Sequence, residues 1–136
     1  MNIIQHHEPI DFEALFNQLK GAYIGIDKRD WEVFSADADE IHSFYGSAEW
    51  KDRVNNALDN AIGSDEAVEI INMCKTFMLI IKYNPEGERP VMMDEISAIN
   101  ESVSGLPEES DIQWSLMQDS TLGNKVEVIL LCNVRE

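Results

Sequence analysis

The stretch from Asp111 to Val134 reads Asp-Ile-Gln-Trp-Ser-Leu-Met-Gln-Asp-Ser-Thr-Leu-Gly-Asn-Lys-Val-Glu-Val-Ile-Leu-Leu-Cys-Asn-Val, and it contains two alternating segments around a loop with Gly123 and Asn124. Apolar residues that recur at every second position are typical of a strand with one buried face. The pattern predicts a β-hairpin that packs one face on the core. The residues on that face are Ile112, Trp114 and Leu116, then Val126, Val128, Leu130, Cys132 and Val134.

Upstream of this segment, helical and strand patterns alternate. Helices are predicted from Asp11 to about residue 20, over 50–62 and over 92–103, because apolar residues recur there every three or four positions. Strands are predicted over 22–27 and over 73–83, where the second is nearly all apolar, as in a central strand. Residues 28–47 show no clear periodicity and are expected to form an irregular insertion.

This order of elements predicts the fold class. Helix, strand, helix, strand, helix, strand, strand is the order of an α+β two-layer sandwich, in which a four-stranded mixed sheet carries its helices on one face. A chain of 136 residues with 44% apolar content suffices for one such domain, and residues 1–136 are expected to form it.

The net charge, the apolar content and the cysteines of the chain make some classes of partner and location less favourable than others. The net charge of −16 makes nucleic acid and anionic lipid repulsive partners at long range. No apolar run is long enough to span a bilayer, and the start of the chain lacks the apolar core of a secretion signal, so a cytoplasmic protein is expected. Cys74 and Cys132 fall in predicted strands, where a buried free thiol is favoured over a disulfide.

Candidate chemical sites are few. His6, His7 and Glu8 could ligate a metal, but adjacent histidines in a terminal segment are usually solvated. The acidic cluster of Asp37, Asp39, Glu40 and His42 lacks the pattern of a calcium loop, and a solvated loop is favoured. The Met92-Met93 pair and four aromatic residues could mark a sticky surface, but packing in the core or the insertion is their ordinary explanation. These aromatic residues are Trp31, Phe34, Phe44 and Tyr45. We therefore predict no catalytic residue, no metal site and no cofactor.

Several short segments resemble, in collinear order, the C-terminal domain of FtsZ, the bacterial tubulin relative. The family's closing hairpin is similar in sequence to the segment Asp119-Ser-Thr-Leu-Gly123 followed by Val126-Glu-Val128-Ile-Leu. Ile10-Asp-Phe12 resembles the segment that joins the two domains of the family, and Tyr23-Ile-Gly-Ile26 resembles its Met-Met-Gly-x strand. Asp52-Arg53 with Ala57 and Ala61 resembles its Asp-Arg-Ala helix. The resemblance implies the α+β fold predicted above.

The same resemblance shows what this chain lacks. The family binds GTP in its N-terminal domain through a glycine-rich loop, whereas the seven glycines here are spread singly and form no phosphate-binding loop. In the family, an Asn-x-Asp-Phe-x-Asp motif also helps to activate the water that attacks the nucleotide of the next subunit. Asp11 and Phe12 match that motif, but Pro9 and Ala14 replace its Asn and its second Asp. The resemblance therefore does not imply hydrolysis in trans.

These observations lead to a stand-alone, non-enzymatic protein-interaction domain as the expected function. Its partner would be a subunit of a tubulin-like filament, with Asp11, Phe12, Glu13 and Phe16 as the candidate interface. It could instead be a second copy of this chain, which would make contact through the edge strand or the 28–47 insertion. The alternative is a small oligomeric enzyme with a site between subunits, since the same two-layer architecture resembles that of the small trimeric chorismate mutases. Fold alone does not distinguish the two.

Overall fold

The computed structural model describes residues 2–6, 32, 34, 36, 40–49, 53–74, 76–84, 111–119 and 121–134. Within this part of the chain the elements are β1 (Asn2–Gln5), β2 (Glu40–Ala48), α1 (Arg53–Ile62), α2 (Asp65–Asn72), β3 (Thr76–Tyr83), β4 (Asp111–Gln118) and β5 (Val126–Val134). The predicted helices at 11–20 and 92–103 and the predicted strand at 22–27 lie outside the described residues.

The strands form one mixed sheet in the order β1-β2-β5-β3-β4. The pairs β1–β2 and β3–β4 are parallel, and β5 is antiparallel to both of its neighbours, β2 and β3. A four-stranded mixed sheet is present, as predicted, in the order β2-β5-β3-β4, but its strand β2 was not one of the predicted strands. The short strand β1, which was not predicted, extends it at the β2 edge.

The predicted hairpin is wrong in its pairing. Strands β4 and β5 occur where the alternation places them, but β3 lies between them and pairs with both. The connection over residues 119–125 crosses two strand spacings, about 10 Å, which a loop of this length spans easily. Asp119 starts that crossing at the end of β3, because its backbone N–H donates to the carbonyl oxygen of Tyr83 at 2.7 Å.

Both described helices pack on the same face of the sheet, the arrangement predicted for this fold, although α2 itself was not predicted. The sheet side of this core consists of alternate residues of β5 and β3. These residues are Val126, Val128, Leu130 and Cys132 of β5 and Phe77, Leu79 and Ile81 of β3. The helices contribute the other side of the core, which consists of Val54, Ala57, Leu58, Ala67, Ile70 and Ile71. The predicted inward face of β5 is confirmed at Val126, Val128, Leu130 and Cys132, all of which are buried.

The opposite face of the sheet is also buried, which corrects the expectation of a single buried face for the C-terminal strands. Met78, Ile80, Met117, Ile129 and Leu131 point away from α1 and α2, and each is at most 1% exposed. On this face the side-chain amide of Asn133 donates to the carbonyl oxygen of Phe34, which is itself buried. Phe34 therefore contacts this second face.

The irregular insertion predicted at about 28–47 is wrong at its described residues, because 40–47 belong to β2 and Glu32, Phe34 and Ala36 are helical. Glu40 and His42 consequently lie in a strand, and the solvated loop expected for them is also wrong. The pattern was missed because β2 buries polar side chains: His42 and Ser43 are both buried. Burial is confirmed for Phe34, Phe44 and both cysteines, whereas Tyr45 is half-buried. Trp31, Met92 and Met93 lie outside the described residues.

Helix α2 begins at a serine cap, and its removal gives a measurable prediction. Ser64 has extended backbone angles, and its hydroxyl accepts a hydrogen bond from the Ala67 N–H at 3.1 Å. Ser64→Ala leaves this N–H without its cap, so we expect a loss of about 1 kcal/mol in the free energy of unfolding. Urea denaturation measures it. Ser64→Asp, which restores an acceptor, is expected to keep wild-type stability within about 0.5 kcal/mol.

Candidate functional site

The predicted interface residues Asp11, Phe12, Glu13 and Phe16 lie outside the described residues, so this interface remains a prediction. Neither His7 nor Glu8 is described. The described polar clusters are instead a histidine pair at the β1 edge of the sheet and the loop that connects β4 to β5.

A chain of titratable side chains joins β2 to β1. Glu40 Oε2 lies 3.2 Å from Nε2 of His42, and Nδ1 of His42 lies 2.8 Å from Nε2 of His6. The backbone positions these groups, because Glu40 and His42 are two residues apart on one face of β2 and Ile4 of β1 lies opposite His42. The chain continues toward the helical layer, where Glu66 Oε1 of α2 lies 3.9 Å from Nδ1 of His6.

The hydrogen bonds define which nitrogens carry hydrogen. A carboxylate offers only acceptor atoms, so the His42 nitrogen that faces Glu40 is the donor. Nδ1 of a neutral His42 is then an acceptor, and the bond to His6 is donated by Nε2–H of His6. In the neutral pair, one lone pair and one hydrogen therefore meet between the two rings.

Packing holds His6 in this orientation. Its ring stacks on Phe44 with the centroids 4.7 Å apart and the planes 8° from parallel. The rings of His6 and His42 lie within 14° of parallel, with centroids 5.1 Å apart. The His42 side chain is 9% exposed, whereas the Glu66 side chain is 75% exposed. The pair therefore extends from a buried imidazole to solvent at α2.

A cavity of about 310 Å³ opens beside His6. Its walls come from β1, β2 and the two helices, and its lining residues are His6, Phe44, Tyr45, Asn60, Ala61, Ser64, Glu66 and Ala67. The side-chain amide of Asn60 donates to the Ser47 carbonyl oxygen at 2.9 Å, so this wall is tied to the sheet.

His6 and His42 are not arranged to bind one metal ion together. The facing nitrogens of His6 and His42 are engaged with each other, so they do not converge on one ion. Among the described residues there is no group of three or more His, Cys, Asp or Glu side chains that could hold a metal. What the arrangement does is join β2 to the end of β1 through hydrogen-bonded side chains.

The loop of residues 119–125 is held by buried and charged side chains. Arg53 of α1 is 3% exposed, and its Nη1 donates to the Asn124 carbonyl oxygen at 2.9 Å. Asn84 donates to the carbonyl oxygen of Gly123 at 3.1 Å. Lys82 Nζ lies 3.4 Å from Asp119 Oδ2. These contacts anchor the loop at the end of β3 and indicate a structural role for it.

Asp119 organises the start of this loop. Its Oδ1 accepts hydrogen bonds from the backbone N–H of Thr121 at 3.0 Å and from the Thr121 hydroxyl at 2.5 Å. Partial burial alone would raise the pKa of Asp119, but the two bonds from Thr121 and the charge of Lys82 outweigh it and hold the pKa below its usual range. The carboxylate is therefore ionised at neutral pH, where it stabilises the turn.

Cys74 and Cys132 lie together in the core on the helical side of the sheet. Burial raises the pKa of the Cys132 thiol above its usual range, and the neighbouring Cys74 adds to this effect. Cys74 Sγ also donates to the carbonyl oxygen of Ile70 at 3.2 Å. A buried, protonated Cys132 is a packing residue and not a nucleophile.

No helix in the described part of the chain has the length and hydropathy to cross a membrane.

Comparison with known proteins gives structural similarity without sequence similarity. No protein-family model matches the chain, and no curated protein matches it at a significant level. An FtsZ dimer from M. jannaschii aligns with 89% of this chain at a TM-score of 0.67 and 19% identity. A tryptophan-to-tyrosine mutant of the same FtsZ aligns with 94% of this chain at a TM-score of 0.66 and 17% identity.

A CetZ protein from Methanosaeta thermophila is also similar, with a TM-score of 0.57 over 92% of this chain at 12% identity. The chain spans only 37%, 42% and 35% of the length of these three proteins. Nearly all of this chain therefore matches a little over a third of each larger protein. Identities below 20% mean that the similarity concerns the fold. The chain has the α+β fold of an FtsZ C-terminal-like domain, as its short sequence matches predicted.

Proposed function

We propose that this chain is a non-enzymatic protein-interaction domain that binds a tubulin-like filament subunit or a second copy of itself. The observation that carries the proposal is the alignment of 89% of the chain with FtsZ at a TM-score of 0.67. In that family the C-terminal domain meets the nucleotide-bearing face of the next subunit. The shared fold supports the proposal that this chain would occupy the same position.

The candidate interface for this contact is Asp11, Phe12, Glu13 and Phe16, at the position of the family segment that joins the two domains. Phe12 and Phe16 would supply apolar contact, and Asp11 and Glu13 would supply charge. Ala14 stands where the family carries an aspartate that helps to activate water. The domain would therefore cap a filament end without stimulating GTP hydrolysis, and its place of action would be the cytoplasm.

The alternative, an enzyme with a site between subunits, has less support. A site for a dicarboxylate substrate would need cationic side chains, of which arginine is the most suitable. The chain has four arginines, Arg29, Arg53, Arg89 and Arg135. Arg53 is buried and bonded to the loop at Asn124, so it is committed to the fold. The three other arginines would have to attract an anionic substrate in a chain that carries 26 acidic residues.

Sedimentation of FtsZ polymers tests the proposal. With the purified chain in excess, we expect a lower mass of pelleted polymer, with GTP turnover per polymerised subunit unchanged. Glu13→Lys reverses a charge in the candidate interface and is expected to raise the half-maximal concentration about fivefold or more. Glu69→Lys makes the same change on the exposed face of α2, where Glu69 lies outside the cavity, and is the matched control.

Polymer mass that stays constant at every concentration of the chain would overturn filament capping. Equal effects of Glu13→Lys and Glu69→Lys would overturn the interface and leave only general charge repulsion. Light scattering over a range of concentrations separately measures self-association, the second form of the proposal.

A further inference from the structure

The cavity beside His6 lies where the two described helices meet the β1 edge of the sheet. Its helical wall is formed by the end of α1 and the start of α2, which contribute Asn60, Ala61, Ser64, Glu66 and Ala67. Its volume of about 310 Å³ is at the lower end of the range for small-molecule sites, about 300–1,000 Å³. The cavity is therefore large enough for one small organic molecule or one long side chain.

The side chain of Glu66 places a carboxylate at this cavity. Its Oε1 lies 3.9 Å from Nδ1 of His6, which lines the same cavity. This distance is longer than a hydrogen bond, so the contact leaves the carboxylate able to accept a hydrogen bond from a ligand. The Glu66 side chain is 75% exposed, so a ligand can reach it from solvent.

Two other polar side chains line the helical wall. The Asn60 amide is fixed by its bond to the Ser47 carbonyl oxygen at 2.9 Å, and it also carries an acceptor oxygen. The Ser64 hydroxyl accepts one hydrogen bond from the Ala67 N–H and can accept a second. Together with the carboxylate, this wall offers more acceptors than donors, which favours a ligand that donates hydrogen bonds.

An anion fits the same place less well, although the N-terminus of α2 lies there. The Ala67 N–H, which a helix N-terminus would present to an anion, already donates to Ser64. Asp65 and Glu66 put two negative charges in the first turn of the helix, and the chain as a whole has a net charge of −16. Like charges repel, so the cavity favours a cation.

We propose that this cavity binds an alkylammonium group, whose charged end pairs with Glu66 and whose alkyl chain lies against Ala61 and Ala67. The two alanine methyl groups and the ring of Phe44 line the cavity and provide apolar contact for the chain. Such a group occurs in free primary amines and in the lysine side chain of a partner protein. The proposal does not depend on filament binding.

Amide shifts measured by NMR during titration with n-butylammonium chloride at constant ionic strength test the proposal. We expect saturable shifts at the amides of Asn60, Ser64, Glu66 and Ala67, and none at Ile80, which lies on the other face of the sheet. Pentanoate carries the same butyl chain on a carboxylate and is expected to give no saturable shift. Butylammonium without saturable shifts, or pentanoate with equal ones, would overturn the proposal.

Two matched variants test the role of the carboxylate. Glu66→Gln keeps the size of the side chain but removes its charge, and we expect the Kd for butylammonium to rise about threefold, a modest change because water screens an exposed pair. Glu69→Gln makes the same change on the exposed side of α2, outside the cavity, and should leave the Kd unchanged. Equal Kd values for the two variants would contradict the proposal.

Filling the cavity gives an independent test. Ala61→Leu extends a side chain that lines the cavity and is expected to raise the Kd at least tenfold, with the far-ultraviolet circular dichroism unchanged. Binding that survives this change would place the ligand elsewhere and overturn the proposal. The two glutamine variants decide the matter without it, because they alter only exposed side chains.

A blocked lysine, Nα-acetyl-lysine methylamide, distinguishes the two sources of the ammonium group. Tighter binding of the blocked lysine than of butylammonium would support a lysine side chain of a protein as the occupant. Tighter binding of butylammonium would support a free amine. Saturable binding of neither compound at the cavity would overturn the proposal in both forms.

Discussion

Gly46→Ala is expected to cost about 3 kcal/mol or more in the free energy of unfolding, at the upper end of the range for overpacked sites. A Cβ atom on residue 46 would lie 2.0 Å from the carbonyl oxygen of Ala57 and 2.6 Å from the backbone nitrogen of Ala61. Both atoms belong to the backbone of α1, so neither can rotate away. The helix would have to move off β2, and the contacts of Ala57 and Leu58 with the sheet would be lost.

Urea denaturation followed by circular dichroism measures this loss, and the melting temperature should fall by about 10 °C. Gly123→Ala is the matched control. Gly123 has φ of 64°, so alanine there is strained by about 1 kcal/mol, but no other atom lies within 4 Å of the added Cβ. A loss at Gly46 no larger than the loss at Gly123 would show that α1 does not approach β2 as closely as the structure indicates.

Phe77→Ala is expected to cost about 3–5 kcal/mol, the range for truncation of a buried aromatic side chain. Phe77 lies on β3, an interior strand between β5 and β4, is 0% exposed and faces the helical layer opposite Cys132 of β5. Its removal leaves a cavity between the sheet and the helices that backbone hydrogen bonding on both edges of β3 prevents from closing. The free energy of unfolding from urea denaturation measures the cost.

Val68→Ala provides the comparison for this truncation. Val68 lies on α2 and is 49% exposed, so its truncation should change the stability by less than about 1 kcal/mol. A Phe77→Ala protein as stable as Val68→Ala would contradict the placement of β3 in the centre of the core.

Much of the fold could be predicted from local patterns. The continuous apolar segment around Ile80 predicts a strand that is buried on both faces, and β3 has that position. The stripe of Val54 and Leu58 predicts the face of α1 that packs on the sheet. In β5, the run from Val128 to Cys132 contains no polar residue, and this continuity was the available signal that its second face is also buried.

The pairing of the C-terminal strands could not be predicted in the same way. Alternation at Val126 and Val128 defines which side of a strand is buried, but it does not define the neighbouring strand. The segment after Asp119 has turn residues that suit a hairpin as well as a longer crossing. The nearly all-apolar β3 is best buried in the interior of the sheet, and its place between β4 and β5 follows from packing of the whole domain.

The histidine pair was even less accessible to sequence reasoning. His6 and His42 are 36 positions apart, and each was considered only as a weak metal ligand in a solvated segment. No spacing rule connects them, because they meet through the parallel pairing of β1 with β2. The polar residues in β2 also concealed the strand that brings them together.

The sequence by itself determined the positions of β3, β4, β5 and α1, the face of each strand that meets the helices, and the resemblance to the FtsZ C-terminal domain. These features depend on side-chain periodicity and turn residues within short segments. Only the tertiary structure decided the strand order, the burial of β2 and the contact of His6 with His42 and Glu66. Each of these features joins segments that are far apart in the sequence. The strand order is stabilised by burial of both faces of the sheet, and burial requires contacts between several segments, so no local pattern predicts it.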